Sequence, residues 1–323
     1  MPAMSKLLLV RLSSMGDIIH TLPALTDLAR ARPGIRLDWV VEEGFAALPR
    51  LHPSVDRVIP FALRRWRRMP LAPETRAEVA ALRQALAAPQ YGRVVDAQGL
   101  IKSAMVARQA GAPVAGYDWA SAREPLASLA YADAYPVPRA LHAVERTRRL
   151  FAAAFDYRID TPPDYGLAVP ALAQPWRPDG AYAVLLTATS RADKEWMEAN
   201  WIALGTRLAA EGLACVLPWG SDAERERAER LAAAMPNALV APKLDLGSAA
   251  RLLADARVVV GVDTGLAHLA AAVATPVVAI FCASDPALTG VLAGSYAVNL
   301  GRRGAAPDVD TVWAATTQGL AAR

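Results

Sequence analysis

The run VVVGVDTGLAHLAAAVATPVVAIFC, residues 258–282, is the stretch that leaves this chain the fewest ways to fold. It is apolar over a length that could cross a bilayer. Asp263 interrupts it, however, and Thr264-Gly265 and Thr275-Pro276 divide it into pieces of soluble size. It therefore reads as strand, turn, helix, turn, strand. Strands that are apolar throughout belong to parallel sheets covered on both faces. Thr264-Gly265 at the helix start brings backbone N–H groups and a hydroxyl to one point, a ready site for a phosphate. His268 lies one turn further on and reaches the same point.

The same alternation runs along the chain. Apolar strands are expected at Lys6–Leu12, Leu37–Val41, Arg57–Pro60, Arg93–Asp96 and Val114–Tyr117, with helices between them, including 74–88 and 100–109. Pro162, Pro163, Pro170, Pro175 and Pro178 crowd a stretch without periodicity. The pattern then restarts with strands at 182–187, 213–218, 238–241, 257–263 and 277–281. This implies an α/β protein of two Rossmann-like, doubly wound domains facing a central cleft. The N-terminal domain covers 1–160, a linker 161–179 and the C-terminal domain 180–323, with the C-terminal tail free to pack back on the N-terminal domain. A length of 323 residues also favours two cores over one.

Composition narrows the partners. A formal net charge of +4 suits an anionic small molecule or surface and falls short of general nucleic-acid binding. The N-terminal apolar run is only about four residues long before Arg11, too short for a signal peptide. No other segment reads as spanning a bilayer, so any membrane contact is expected to be peripheral. Cys215 and Cys282 both fall in strands expected to be buried, which disfavours a disulfide or zinc site and fits a reducing cytoplasm. The four histidines have no ligand spacing, and Asp308-Val309-Asp310 does not follow an apolar strand, so no metal site is expected. No Gly-x-Gly-x-x-Gly follows the first strand.

Several residues could carry chemistry. Asp17, after Gly16 in the first strand–turn unit, is placed either as a helix-start acid or as a general base at the cleft mouth. Beyond strand 182–187 the loop T-A-T-S-R-A-D-K supplies Thr187, Thr189, Ser190 and Lys194, hydroxyls and a cation suited to a diphosphate leaving group. Glu224 opens a helix where ribose hydroxyls are often bound, a position that a helix-dipole acid also explains. LRRWRRM (63–69) sets Arg64, Arg65 and Arg67 around Trp66, a grip for phosphates or carboxylates, a membrane-surface contact or a solvated loop. Lys102 and Arg123 add charge near strand ends.

The segments SSMGDIIHTLPAL (13–25), LDWVVEEGFA (37–46), RVIPFALRRWR (57–67), VVDAQGLIKSA (94–104), DWASAREPLASL (118–129), HAVERTR (142–148), LPWGS (217–221) and VDTGLAHLAAA (262–272) together resemble the ADP-heptose:LPS heptosyltransferases, glycosyltransferase family 9. SSMGD, RRWR and AREPLASL resemble the lipopolysaccharide heptosyltransferase I branch. The resemblance implies a GT-B fold and inverting, metal-independent transfer of L-glycero-D-manno-heptose from ADP-L-glycero-D-manno-heptose to the inner Kdo of Kdo2-lipid A, in lipopolysaccharide core synthesis. It implies no cofactor, the nucleotide sugar being a co-substrate. It also implies a cytoplasmic enzyme, peripheral on the inner face of the inner membrane of a Gram-negative cell. Asp17 matches the family's catalytic base. Thr187, Thr189, Ser190, Lys194, Glu224, Asp263, Thr264, Gly265 and His268 match its donor-binding positions, and Arg64, Arg65, Arg67, Lys102 and Arg123 its acceptor-facing region. Thr187 departs from the pattern, where a relative has His, and Ser190 stands for Thr. The alternatives are a GT-B transferase with another LPS-core acceptor and a non-catalytic nucleotide-sugar binder.

Overall fold

The computed structural model describes residues 6–189, 191–293 and 295–322. The chain divides into two compact units, Met1–Ala168 and Val169–Arg323. The division falls inside the proline-rich stretch, which carries no helix or strand. Ala168 donates its N–H to the Leu51 carbonyl of the first unit (2.8 Å), and Gln174 Nε2 donates to the Ser248 carbonyl of the second (2.8 Å).

The first unit runs β1 (Leu7–Val10), α1 (Met15–Ile19), α2 (Leu22–Ala31), β2 (Leu37–Glu42), β3 (Val55–Phe61), α3 (Leu63–Trp66), α4 (Pro73–Ala87), β4 (Arg93–Asp96), α5 (Ile101–Arg108), β5 (Val114–Tyr117), β6 (Asp133–Tyr135) and α6 (Ala143–Phe155). A 3₁₀ helix, Pro125–Ala130, lies between β5 and β6. The second unit runs β7 (Tyr182–Leu186), α7 (Glu198–Ala210), β8 (Ala214–Leu217), α8 (Asp222–Ala234), β9 (Ala238–Val240), α9 (Leu246–Asp255), β10 (Val258–Val262), α10 (Gly265–Ala272), β11 (Val277–Phe281), β12 (Ala297–Gly301) and α11 (Val309–Ala321).

Each unit is built on a six-stranded sheet, ordered β3-β2-β1-β4-β5-β6 in the first and β12-β11-β10-β7-β8-β9 in the second. Every pairing of these strands is parallel. Counted within its own unit, the second sheet repeats the order of the first. The order reverses between β1 and β4 and between β7 and β10. Chains leaving such a pair turn to opposite faces of the sheet and open a crevice at the strands' carboxyl ends, where ligands of doubly wound sheets bind.

Burial follows the pattern of the sequence. Leu7–Val10, Tyr182–Leu186, Val258–Val262 and Val277–Phe281 are buried along their whole length, as strands covered on both faces must be. β10 lies so close to β7 that a Cβ at Gly261 would come within 2.8 Å of Leu186 Cβ. Helix starts are fixed locally. Asp245 accepts the Ser248 N–H (2.7 Å) to cap α9, and Asp308 accepts the Thr311 N–H (2.8 Å) to cap α11. The Asp-x-Asp of the tail is thereby explained, since Asp310 pairs with Arg207 (2.6 Å).

In the second unit, α11 buries Val312 and Ala315 in the core, with Trp196, Trp201 and Ile280. Two features differ from the sequence expectations. Strands β6 and β12 and helix α6 were not foreseen. Cys282 is only half-buried, one residue past β11, whereas Cys215 is buried in β8.

Inside the first unit, Arg148 on α6 binds Asp27 on α2 through two bonds (2.7 and 3.1 Å) and also donates to the Thr161 carbonyl (2.6 Å). Both side chains of the pair are almost fully buried. Arg148→Ala leaves a buried carboxylate unpaired and is expected to destabilise this unit by about 3–5 kcal/mol. Arg149→Ala removes a half-exposed pair with Glu145 (2.7 Å) and is expected to change stability by no more than about 0.5 kcal/mol. Urea unfolding of the two variants distinguishes these, and equal losses would contradict the ranking.

Candidate active site

In the first unit the crevice is organised by a carboxylate and its cation. β1 runs directly into Arg11 and a turn, and Ser14 caps α1. Asp17, in the first turn of α1, turns back. Its Oδ2 accepts the Ser14 N–H (2.9 Å) and the Ser14 hydroxyl (3.1 Å), and its Oδ1 pairs with Arg11 Nη2 (2.9 Å). Arg11 also donates to the carbonyl of Ala97, just past β4, so one guanidinium bridges the point where the strand order reverses. Burial pushes the Asp17 carboxyl upward in pKa, but the Arg11 charge, the Ser14 bonds and His20 outweigh it and hold the value below the ordinary 3.8. The side chain is 27% exposed. The result is an ionised carboxylate, fixed in orientation and open to solvent.

Behind it, Asp96 at the end of β4 is fully buried and shapes the next loop. Its Oδ1 accepts the N–H groups of Gln98 (2.9 Å) and Gly99 (3.2 Å), and its Oδ2 lies 2.8 Å from both the Ser103 hydroxyl and the Tyr131 hydroxyl. Burial raises its pKa against all four donors. Gly99 has φ +69°, and a Cβ there would meet the Arg123 nitrogen at 3.3 Å, so this loop and the one after β5 approach as closely as only glycine permits.

In the second unit the residues beyond β7 and β10 converge. Lys194 Nζ lies 2.6 Å from Asp263 Oδ2, Ser284 donates its hydroxyl to the same oxygen (2.6 Å), and the Thr189 hydroxyl donates to the Asp263 carbonyl (3.1 Å). Burial would raise the Asp263 pKa, yet Lys194, Ser284 and the nearby His268 lower it. Thr264 is the N-cap of α10 without a side-chain capping bond, and Gly265 is its first residue. His268 is buried one turn on. Thr187 is buried at the end of β7. Ser190 lies outside the described residues. Asp263 thus holds the lysine in place beside a helix N-terminus, a combination able to receive a phosphate.

Two of the remaining candidates are tied into the protein. Glu224 closes the start of α8, where its Oε2 accepts the Gly220 N–H (2.7 Å) and its own N–H donates to Ser221 (3.3 Å). Arg65 is held by two carboxylates, Glu43 (2.9 Å) and Glu78 (2.9 Å), while Trp66 Nε1 donates to Glu78 (2.6 Å). It anchors α3 more than it offers a free charge. Arg64, Arg67, Lys102 and Arg123 are exposed, and among the described residues none forms an ion pair. No group of three or more His, Cys, Asp or Glu among the described residues could hold a metal ion.

Arg11 and Ser284 were missed in the sequence. Each follows an apolar strand, at β1 and β11, and that position beyond a strand's carboxyl end was the available signal.

A family model described as glycosyltransferase family 9 (heptosyltransferase) matches residues 79–316. The chain belongs to glycosyltransferase family 9. It is 52% identical to the lipopolysaccharide heptosyltransferase 1 of Pseudomonas aeruginosa over 92% of this chain and 83% of the relative. The solved structure of E. coli heptosyltransferase WaaC with ADP superposes with a TM-score of 0.90 at 43% identity, over 97% of this chain and 99% of that one. The same enzyme with ADP-2-deoxy-2-fluoro heptose gives 0.85 at 44% identity, over 97% and 98%. This glycosyltransferase therefore has the GT-B fold, each of its two units contributing one Rossmann-like sheet.

The Arg11–Asp17 pair yields a direct test. In the enzyme, a ¹³C titration of the Asp17 carboxyl is expected to fall below 3.8. Arg11→Met removes the largest opposing charge, and the value should move upward. An unchanged titration would show that Arg11 does not set the charge of Asp17.

Proposed function

We propose that this glycosyltransferase moves L-glycero-D-manno-heptose from its ADP donor to the inner Kdo of Kdo2-lipid A, at the cytoplasmic face of the membrane and without a metal ion. The observation that carries the reading is the cluster at the β7/β10 reversal. There Lys194 is fixed by Asp263, whose carboxylate also accepts the Ser284 hydroxyl, beside the start of α10, in a chain half identical to a named heptosyltransferase. That relatives of this sequence were solved with ADP and with a fluorinated ADP-heptose supports the same donor here.

In the proposed reaction an acceptor hydroxyl attacks the anomeric carbon from the face opposite ADP. The new carbon–oxygen bond forms as the bond to the β-phosphate oxygen breaks, and the anomeric centre inverts. The hydroxyl proton passes to the Asp17 carboxylate. A carboxylate with a lowered pKa is a weak base in the ground state. It becomes effective as the attacking oxygen acquires positive charge and its proton turns acidic. ADP departs with two negative phosphates, and Lys194 with the N–H groups of α10 offsets that charge. Thr189, Thr264 and His268 surround the same point, Glu224 is assigned to the ribose, and Ser190 and Thr187 complete the donor loop. Arg64, Arg67, Lys102 and Arg123, with Arg65 as their anchor, receive the anionic acceptor.

Mass spectrometry of the product from ADP-heptose and Kdo2-lipid A, with a chelator present, tests the reading. One heptose is expected to be added to the acceptor. Product formed only from an already heptosylated acceptor, or only after divalent metal is restored, would overturn it. Asp17→Ala is expected to lower kcat by about 10²–10⁴-fold while ADP affinity stays within about twofold. Near-normal turnover would remove Asp17 from the chemistry.

A further inference from the structure

We propose that α5 and the 3₁₀ helix Pro125–Ala130 form the surface through which this protein enters an anionic phospholipid membrane. On α5, Ile101 and Met105 stand four residues apart on one face and are 41% and 65% exposed, while Ser103, Ala104 and Ala107 are buried. On the 3₁₀ helix, Leu126 and Leu129 stand three apart, the spacing at which its side chains eclipse, and are 57% and 74% exposed, while Ala127 between them is buried. The two helices pack against each other. Four large apolar side chains thus sit on neighbouring outer stripes. Met69, Leu71 and Trp119 of the same unit are also exposed, as are Leu172, Met197 and Leu288 of the second.

Charge selects the occupant. Arg83 and Arg108 line a groove of about 580 Å³ with Met105, and Lys102 and Arg123 belong to the same two segments. None of these four cations forms an ion pair among the described residues, whereas Arg57, Arg93 and Arg148 of this unit all do. Glu124, next to Arg123, accepts the Ile101 N–H (2.7 Å). A second copy docked isologously would bring these cations face to face. Anionic headgroups satisfy the cations while acyl chains receive the apolar stripes. No helix among the described residues is long and apolar enough to cross a membrane, so this is contact from one side. Both helices follow carboxyl ends of first-unit strands, β4 and β5, on the sheet edge that carries Asp17.

The inference deepens the lipid-anchored acceptor reading, and vesicles without acceptor test it separately. The full chain is sedimented with phosphatidylcholine vesicles containing phosphatidylglycerol, and with phosphatidylcholine alone. Wild type should bind the anionic vesicles at least about tenfold more tightly. The Leu126→Ser, Leu129→Ser double variant should lose about tenfold or more of that binding. Its transfer to a deacylated, water-soluble Kdo acceptor should be unchanged. If the double variant does not fold, Met105→Gln on the helix face carries the same expectation. Equal vesicle binding by variant and wild type, no vesicle binding by wild type, or a wild-type dimer in sedimentation that the variant abolishes would each overturn the proposal. Failure to transfer heptose to Kdo2-lipid A with vesicle binding intact would count against the acceptor and leave this surface standing.

Discussion

A carboxylate desolvated in the crevice beyond a buried parallel strand has to be neutralised, and each unit holds such a carboxylate with its cation. Each carboxylate is mostly desolvated, and each would shift toward protonation if left alone. Arg11, on the same β1–α1 turn, keeps Asp17 ionised while reaching across the β1/β4 reversal to Ala97, and Lys194 does the same for Asp263 from across β7/β10. The two pairs differ in which member is offered outward. Asp17 is the more exposed partner of its pair, 27% against 11%, so the first unit presents an anion. At the second, the lysine shares its acid with Ser284 and stands beside a helix N-terminus, so the crevice presents donors. Proton acceptance and diphosphate stabilisation require opposite local charge. In the proposed reaction, one strand order, used twice with the pair reversed, would serve both.

The loops that follow are fitted to this arrangement. Asp96 gathers Gln98, Gly99, Ser103 and Tyr131, and a carboxyl so deeply buried is held by the number of its donors and not by any single charge. It positions the segment that leads into α5 and brings it against the loop bearing Arg123. Lys102 and the exposed Ile101 and Met105 are therefore carried by one helix, packed against the segment that carries Arg123, Leu126 and Leu129.

Much of this was legible in the sequence, for identifiable reasons. Strands buried on both faces are apolar throughout, so β1, β7, β10 and β11 declared themselves, and the loops past such strands draw attention to Asp17, Asp263, Thr264 and Gly265 as candidates. Edge strands β6 and β12 are only partly buried, and gave no comparable signal. Long-range pairing left no trace in local pattern. Nothing near Arg65 reveals that Glu43 and Glu78 hold it, and nothing near Arg11 reveals Asp17 as its partner and not a ligand. The Asp308 and Asp310 pair, where no metal site was expected, is a helix cap and a surface ion pair. Helix capping and ligand binding draw on the same residue types, because both satisfy free backbone N–H groups.

The division of labour between the two crevices is the central claim, and amide hydrogen exchange with and without ADP examines it most directly. Slower exchange at residues 265–267 and across the 187–194 loop, with residues 14–20 unchanged, is the expected result. Slower exchange at 14–20 with none at 265–267 would contradict it.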